Sequence, residues 1–339
     1  MNSIKDVAKL ASTSITTVSR VINNNGYVKE ETRQRVLEAV RELEYKPLER
    51  TDLEKETKAI GLIVPNIENP FFGKVAKYIG KAANQYNYNI LLFNIDISEN
   101  LKDDFLLDLM EKRVDGLIYA SSQRCLEAIN KAKEKNIPFV LLDREVKNEK
   151  ISTVFIDNNY GAFLATEHLI KLGHRNIAYI GGPIDMEVSN KRKEGYMKAL
   201  NEYGINIDKS LVAYGNYKMQ SGYDCMNKLY IDNKGITGVI AANDLMAIGA
   251  LNYLNRSGVK VPDEIAIVGF DNIEMSESII PSLTTIEYPI ERMSERVIDL
   301  ILKQIKDKNT NVEMVTLYPK LLVRESSNYS RTVELENQF

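Results

Sequence analysis

DVAKLASTSITTVSRVIN, residues 6–23, is the stretch that decides the fold of the amino-terminal part of the chain. Apolar residues recur in it at helical spacing on both sides of a short polar break, Ser12-Thr13. Ser3 is placed to cap the first helix, with Asp6 three residues later near the positive end of the helix dipole. A third helix with its own apolar stripe is expected over residues 30–44. Two short helices joined by a tight turn and supported by a third predict a helix-turn-helix over residues 1–46.

The second helix of this motif carries the candidate DNA contacts. They are Ser14, Ile15, Thr16, Thr17, Ser19, Arg20 and Asn23. In a helix-turn-helix the second helix lies in the major groove, where an arginine can bond guanine through two hydrogen bonds and a threonine can donate or accept. Isoleucine can pack only on a thymine methyl, while serine and asparagine suit phosphate contacts. Periodicity alone is equally typical of a small helical bundle with polar surface residues.

The long body of the chain alternates strand-like and helical stretches. Apolar strand-like runs are expected at residues 60–64, 90–93, 116–119, 139–142, 154–156, 177–180, 211–214, 239–242 and 265–270. Helical stretches are expected at residues 72–85, 102–112, 126–136, 161–172, 191–203 and 246–257. This alternation predicts an α/β fold of doubly wound parallel sheets in two lobes. Each lobe offers ligand contacts at the carboxyl ends of its strands, and two facing lobes form a cleft that closes by a hinge motion.

Head and body together resemble the LacI/GalR family of bacterial transcription regulators. The matching head segments are residues 6–11, Ser14, residues 17–23, 31–33 and 43–47, and the matching body segments include residues 63–72, 113–118, 172–175, 192–196, 242–247, 269–272 and 283–286. The resemblance implies a homodimer on pseudo-palindromic double-stranded operator DNA and a periplasmic-binding-protein-like core. It implies that a small-molecule effector, a sugar above all, binds between the lobes and controls operator affinity. A repressor is the expected form of regulation.

Domain boundaries follow from the family pattern. Residues 1–46 form the DNA-binding head and residues 47–58 the hinge or linker. Residues 59–157 with 287–316 form the amino-terminal lobe, residues 158–286 with 317–330 the carboxy-terminal lobe, and residues 331–339 a tail. The tail lacks a leucine heptad, so a dimer without a tetramer-forming coiled coil is expected.

The hinge is where the sequence departs from the family. Leu48 stands where the family has asparagine, the alanine-arginine pair is missing, and residues 47–58 carry several acidic side chains. Leu53 is the candidate for the side chain that wedges into the minor groove. Because acidic residues facing phosphate are unfavourable, an ordinary flexible linker is an equal alternative to a hinge that orders on DNA. A family member that has weakened operator binding and acts through protein partners is a further alternative.

The effector contacts are carried over from the resemblance, residue by residue. Arg192, Asn243 and Asp271 occupy the three polar ligand positions, and Phe72 and Tyr217 match the aromatic pair that sandwiches a ring. Asp143 and Asp157, which directly follow strands, are further candidates. The alternatives are that Asn243 and Asp271 cap turns and that Phe72 belongs to the core. Met186 stands where some family members have an anion-binding arginine, so a strongly anionic effector is not expected, while a nucleobase remains an alternative.

Composition and charge exclude other classes. The 339 residues carry a net charge of −3, which excludes a chain that is basic throughout; residues 1–29 nevertheless carry +3, residues 30–58 −2 and the rest −4. Neither a signal segment nor a membrane-length apolar run is visible, so a cytoplasmic protein is expected. Cys125 and Cys225 fit neither zinc nor redox spacing, and nucleophile-elbow, phosphate-loop and dinucleotide motifs are missing. No enzyme activity, metal or cofactor is expected, and a non-regulatory sugar-binding receptor is opposed by the helix-turn-helix.

Overall fold

Three helices lie in the described part of the amino-terminal unit of the chain, Met1–Glu56, which we call the head. The structure is a computed structural model that describes residues 3–22, 28–43, 45, 57–95, 114–120, 125–143, 150–307 and 309–328. The helices are α1 (Ile4–Leu10), α2 (Ile15–Ile22) and α3 (Glu30–Glu42). The carboxylate of Asp6 accepts hydrogen bonds from the backbone N–H and the hydroxyl of Ser3, each at 2.7 Å. Val7, Val18 and Val36 are fully buried between the three helices, which confirms the helix-turn-helix.

The second unit, Thr57–Phe339, is the core, and its first lobe is built on a six-stranded sheet. The strands are β1 (Ala59–Val64), β2 (Asn89–Asn94), β3 (Gly116–Tyr119), β4 (Phe139–Leu142), β5 (Ser152–Ile156) and β11 (Met314–Leu317), in the order β11-β5-β4-β3-β1-β2. The helices are α4 (Pro70–Asn84), α5 (Cys125–Glu134) and α11 (Ile290–Lys306). The helix predicted at residues 102–112 lies outside the described residues. β1, β3 and β4 are buried along their whole length, as expected for central strands covered on both faces.

The second lobe repeats this arrangement. Its strands are β6 (Ile177–Gly181), β7 (Val212–Tyr214), β8 (Gly238–Ala241), β9 (Ala266–Asp271), β10 (Thr284–Glu287) and β12 (Lys320–Leu322), in the order β12-β10-β9-β8-β6-β7. Its helices are α6 (Asn158–Lys171), α7 (Glu187–Glu202), α8 (Met219–Asp232), α9 (Asp244–Arg256) and α10 (Met275–Ser278). Every strand pair in the described residues is parallel except β10 with β12, which is antiparallel. The predicted α/β fold of doubly wound parallel sheets is therefore confirmed.

The chain passes between the lobes three times. It leaves the first sheet after β5 and enters α6, returns after β10 into α11, and leaves again between β11 and β12. Two of these crossings place Asn158 and Tyr288 between the sheets, and both residues are buried. Because three crossings join the lobes side by side, the carboxyl ends of both sheets face a shared cleft.

Helices α8 and α9 pack unusually closely through glycines. A Cβ added to Gly222 would lie 2.1 Å from the carbonyl oxygen of Met246, and one added to Gly249 would lie 2.0 Å from that of Met219. No real side chain tolerates such distances from a backbone atom. The two glycines therefore set the approach of this helix pair.

Candidate functional site

Helix α2 presents one polar face away from the head core. Its buried face is formed by Val18 and Val21, and Ile15, Thr16 and Arg20 are exposed. The remaining predicted DNA contacts are Ser14, which is exposed, Thr17 and Ser19, which are half-buried, and Asn23 and Leu53, which lie outside the described residues. The exposed face has the size and chemistry of a base-reading surface.

Ser14 also has a structural role at the start of α2. Its hydroxyl accepts a hydrogen bond from the backbone N–H of Thr17 at 3.1 Å and lies 2.9 Å from the Thr17 hydroxyl. This is the geometry of a helix amino-terminal cap, which is typically worth about 1 kcal/mol. The cap fixes the first turn of the helix, where Ile15 and Thr16 lie, so Ser14 positions these residues.

A cavity of about 570 Å³ occupies the cleft between the two lobes of the core. This volume lies in the range of small-molecule sites. Six of the seven predicted effector contacts line it: Phe72, Asp143, Arg192, Tyr217, Asn243 and Asp271. Phe72 and Asp143 come from the first lobe and the other four from the second. Met186 also lines the cavity.

Asp157 is placed elsewhere. Its carboxylate accepts a hydrogen bond from the backbone N–H of Tyr160 at 2.9 Å and caps α6. It is not part of the cavity wall. The structure therefore gives Asp157 a helix-capping role and does not bring it together with the other predicted effector contacts.

The guanidinium of Arg192 is held by protein groups on almost every side. Its Nε donates to Asn158 Oδ1 at 2.8 Å, one terminal nitrogen donates to the carbonyl oxygen of Ala242, and the other donates to the hydroxyl of Tyr288 and to Asp271 Oδ1, the last at 3.4 Å. These bonds use four of its five N–H groups. The guanidinium also lies 3.8 Å from the ring centre of Phe270, and Arg192 is only 4% exposed.

Two carboxylates share this inner end of the cavity. Oδ2 of Asp143 lies 3.2 Å from the hydroxyl of Tyr288, but its buried Oδ1 has no hydrogen-bond partner among the described residues. Burial raises the pKa of Asp143, although the charge of Arg192 and the hydroxyl of Tyr288 oppose this. Burial likewise raises the pKa of Asp271 well above its usual range, against the opposing charge of Arg192. The inner end thus holds two carboxyl groups, of Asp143 and Asp271, against one guanidinium, of Arg192. Among the described residues, Oδ1 of Asp143 is the acceptor without a donor.

Asn243 lines the cavity, and both its amide oxygen and its amide nitrogen bond protein groups. Its Oδ1 accepts from the backbone N–H of Met246 at 3.0 Å and caps α9, and its Nδ2 donates to the carbonyl oxygen of Tyr217 at 3.1 Å. Asn243 therefore has both the capping role and the cavity position that the sequence offered as alternatives. The bond to Tyr217 also holds that residue, whose backbone has a φ of +64°.

Sequence reasoning missed Asn158, Phe270 and Tyr288, which surround Arg192. Tyr288 packs edge-on against Phe71 and Phe270, with ring centres 5.0 and 5.8 Å away. A signal for Tyr288 was available, since it follows the β-branched run 284–286 at a point where the chain changes lobes. Asn158 gave no signal of its own, because its role depends on Arg192 approaching from another helix.

Two negative findings apply to the described part of the chain. None of the helices there has the length and apolar character needed to cross a membrane. Within the same residues, no group of three or more histidine, cysteine or acidic side chains is arranged to hold a metal ion. The thiol of Cys225 is free and half-buried.

Comparisons with known proteins agree on one family. Residues 3–47 match the model of bacterial regulatory proteins of the lacI family, and residues 57–326 match that of periplasmic binding proteins and the sugar binding domain of the LacI family. The HTH-type transcriptional repressor PurR of Histophilus somni (strain 129Pt) is 35% identical over 329 residues, which cover 96% of this chain and 99% of the relative.

Solved structures lead to the same conclusion. The complex of the transcriptional regulator CelR with cellobiose is 32% identical, with a TM-score of 0.75 and coverage of 96% of this chain and 100% of that one. The lac repressor dimer bound to operator and the anti-inducer ONPF is 27% identical, with a TM-score of 0.73 and coverage of 96% and 99%. The two family models together span almost the whole chain. This chain belongs to the LacI family of bacterial DNA-binding transcription regulators.

Proposed function

We propose that the protein is a homodimeric repressor whose affinity for a pseudo-palindromic operator is controlled by a neutral sugar bound between the lobes. Operator binding and the dimer are supported by the exposed face of α2 and by the likeness to the lac repressor dimer bound to operator. The sugar is supported by the chemistry of the cavity and by the likeness to the CelR–cellobiose complex. Effector binding changes operator affinity to the extent that the effector prefers one lobe arrangement over the other.

The observation that carries the effector proposal is that Asp143 lines the cavity while its buried Oδ1 has no hydrogen-bond partner among the described residues. A buried carboxylate oxygen without a donor is costly, so a ligand that supplies an O–H there gains a charge-assisted hydrogen bond. Arg192 has one N–H left, so this end of the cavity mainly accepts hydrogen bonds. Sugar hydroxyls can donate the hydrogen bonds that this end of the cavity accepts. A nucleobase edge that presents ring nitrogens and carbonyl oxygens needs donors instead.

The charge of the cavity favours a neutral ligand over a sugar phosphate. Its acidic lining residues are Glu68, Asp143 and Asp271, against Arg192 and Lys218. Arg192 is already paired with Asp271 at 3.4 Å. An added phosphate would meet an excess of negative charge, and it would need several donors at an end that offers one.

A thermal-shift screen of the full-length protein tests the effector. Ribose, glucose and cellobiose represent neutral sugars, and their phosphates and hypoxanthine represent the alternatives. We expect a neutral sugar to raise the melting temperature, because a ligand that binds only the folded state stabilises it by mass action. A response to hypoxanthine or to phosphorylated sugars alone would contradict the proposal.

Asp143→Asn is the matched variant for this screen. The amide keeps one acceptor for Tyr288 but turns the cavity side into a donor, so the affinity for the neutral sugar should fall about tenfold or more. Asp185→Asn is the control, because Asp185 is an exposed carboxylate outside the cavity wall. Equal losses in the two variants would rule out the proposed contact.

Selection of DNA sequences from a random pool tests operator recognition. Arg20→Ala should weaken binding to the selected operator about tenfold or more and relax the preferred base at one position of each half-site. Lys9, an exposed basic residue on α1, provides the comparison. Lys9→Ala should weaken all DNA binding similarly without altering sequence preference. If Arg20→Ala keeps the sequence selectivity of the wild type, Arg20 does not contact bases. Light scattering tests the dimer separately, and a monomer would refute it.

A further inference from the structure

Asp115 lies just before β3 and holds the two residues that precede β1. Its Oδ1 accepts hydrogen bonds from the backbone N–H of Thr57 at 2.7 Å and from the Thr57 hydroxyl at 2.9 Å. Its Oδ2 accepts from the backbone N–H of Lys58 at 2.8 Å. Thr57 and Lys58 are the first residues of the core after the strip 47–56, and we call them the linker exit.

The linker exit is held from the opposite side as well. The carbonyl oxygen of Lys58 accepts a hydrogen bond from the backbone N–H of Asn89 at 2.8 Å, at the start of β2. The Lys58 ammonium lies 4.8 Å from the ring centre of Tyr88. β1 lies between β2 and β3 in the sheet, so the linker exit is fixed to both neighbours of the strand that follows it.

The backbone turns at this point. Lys58 has a φ of +51°, a left-handed conformation that costs a side-chain-bearing residue about 1 kcal/mol. Such a conformation persists only where the surroundings impose it. The three side-chain bonds of Asp115 hold the two residues before β1, and the backbone N–H of Asp115 donates to the carbonyl oxygen of Ala59, the first residue of that strand, at 2.8 Å. These bonds fix the backbone of Thr57 and Lys58 at the point where the linker joins the core.

We propose that Asp115 is a positioning residue that fixes the origin and direction of the linker, and thereby the spacing between half-sites that the dimer accepts. This inference rests on the proposed function, because it requires a dimer on paired half-sites. Each residue of extended chain spans about 3.5 Å, so release of Thr57 and Lys58 gives each subunit about 7 Å of additional reach. One base pair rises about 3.4 Å, so each released subunit can shift by about two base pairs.

Selection of random DNA with the full-length protein tests this role without any effector. The wild type should enrich paired half-sites at a single spacing. Asp115→Ala should enrich the same half-site sequence at a spread of spacings about two or more base pairs wide. Its affinity for the wild-type operator should fall about tenfold, because the loosened linker lowers the effective concentration of the second head. Asp115→Asn, which keeps an acceptor for both Thr57 donors, should give a smaller spread.

Two further variants separate positioning from a general structural effect. Thr57→Val removes only the hydroxyl donor and should keep the wild-type spacing. Lys58→Pro removes the N–H that donates to Asp115 and cannot adopt a φ of +51°, so it should widen the spacing even where Asp115→Ala does not fold. A single unchanged spacing in both Asp115→Ala and Lys58→Pro would overturn the inference. A wild type that enriches no paired half-sites would refute the proposed function instead.

Discussion

Replacement of Arg192 by methionine tests whether the inner end of the cavity depends on one buried cation. The side chain is 4% exposed and bonds Asn158, Ala242, Asp271 and Tyr288. Methionine keeps much of the volume but leaves two carboxylates without a counter-charge. Removal of one partner from a buried ion pair typically costs 3–5 kcal/mol, so we expect the free energy of unfolding of the core to fall by about 4 kcal/mol at pH 7.

The loss should depend on pH in a definite direction. Burial already raises the pKa of Asp271, and removal of Arg192 takes away the charge that opposes this shift. The folded variant therefore binds a proton more tightly than the unfolded chain does, and its stability rises as the pH falls through the folded-state pKa. Protonation neutralises the uncompensated charge. We expect the difference between wild type and Arg192→Met to shrink to about half at pH 5.

Urea unfolding followed by far-ultraviolet circular dichroism measures both effects. The chain contains no tryptophan, so indole fluorescence is not an option. With a slope of about 3 kcal/mol per molar urea, the midpoint at pH 7 should fall by more than about 1 M. Arg256→Met is the control, since Arg256 is an exposed residue at the end of α9 and its loss should cost less than about 0.5 kcal/mol. A midpoint shift that is the same at both pH values would refute the electrostatic reasoning.

Three other outcomes follow from named contacts. Gly222→Ala should destabilise the core by about 2 kcal/mol in the same urea assay, because the added methyl meets the carbonyl oxygen of Met246. Gly73→Ala, in an open position on α4, should instead stabilise it by about 0.5–1 kcal/mol. Asp244 has a pKa raised to about 6 by burial, so its folded form favours the proton. Between pH 7 and pH 4 the wild type should therefore gain about 2 kcal/mol of unfolding free energy relative to Asp244→Asn; a parallel pH dependence of the two proteins would contradict this.

The fold was predictable where the apolar pattern is local. The bounds expected for β3 and β4 match the structure to the residue, because each is a short apolar run buried on both faces. The edge strand β11 was not predicted, since most of it is exposed or half-buried and it has no such run. Its position depends on pairing with β5, which is distant in sequence.

Three helices were missed, each for a different reason. Helix α10 is a single turn of four residues, too short for a periodic apolar pattern. In α8, Gly222 and scattered polar residues weaken the periodicity, and the helix is stabilised by its close packing on α9, which the sequence does not display. In α11 the signal was present: Met293, Val297 and Ile301 recur at intervals of four and are fully buried. That helix could have been predicted from periodicity alone.

The sequence predicted residues that line the cavity but not the hydrogen bonds between them and their neighbours. Arg192 and Asp271 follow from their match to the family pattern, and both line the cavity. The sequence does not reveal that the guanidinium is saturated by Asn158 and Tyr288, because these residues come from two separate crossings of the chain. It likewise does not show that Asp143 keeps an unpartnered oxygen. The hydrogen-bond partners of Arg192 and Asp143 come from segments distant in sequence, so they are visible only in the folded core.

Three of the eight described non-glycine residues with a positive φ line the cavity. Asp143, Tyr217 and Asp271 line it with φ values of +55°, +64° and +108°, and Asn272 follows at +51°. Such residues persist only where neighbouring contacts impose them, and they tend to occur at ligand sites. Near Asp271 those contacts come from Asp244, whose Oδ2 accepts from the backbone N–H of Ile273 at 2.9 Å.

Thr285 links Asp244 to a second point of the loop that follows Asp271. The Thr285 hydroxyl donates to Asp244 Oδ1 at 2.5 Å and accepts from the backbone N–H of Asn272 at 3.3 Å. A buried carboxylate held by three neutral donors is a costly way to hold a loop. The benefit that offsets this cost is a fixed orientation of Asp271 towards Arg192. If the loop after Asp271 were free to relax, the Asp271 carboxylate would have no defined position in the cavity. The stability of the second lobe and the shape of its binding surface are therefore coupled through Asp244.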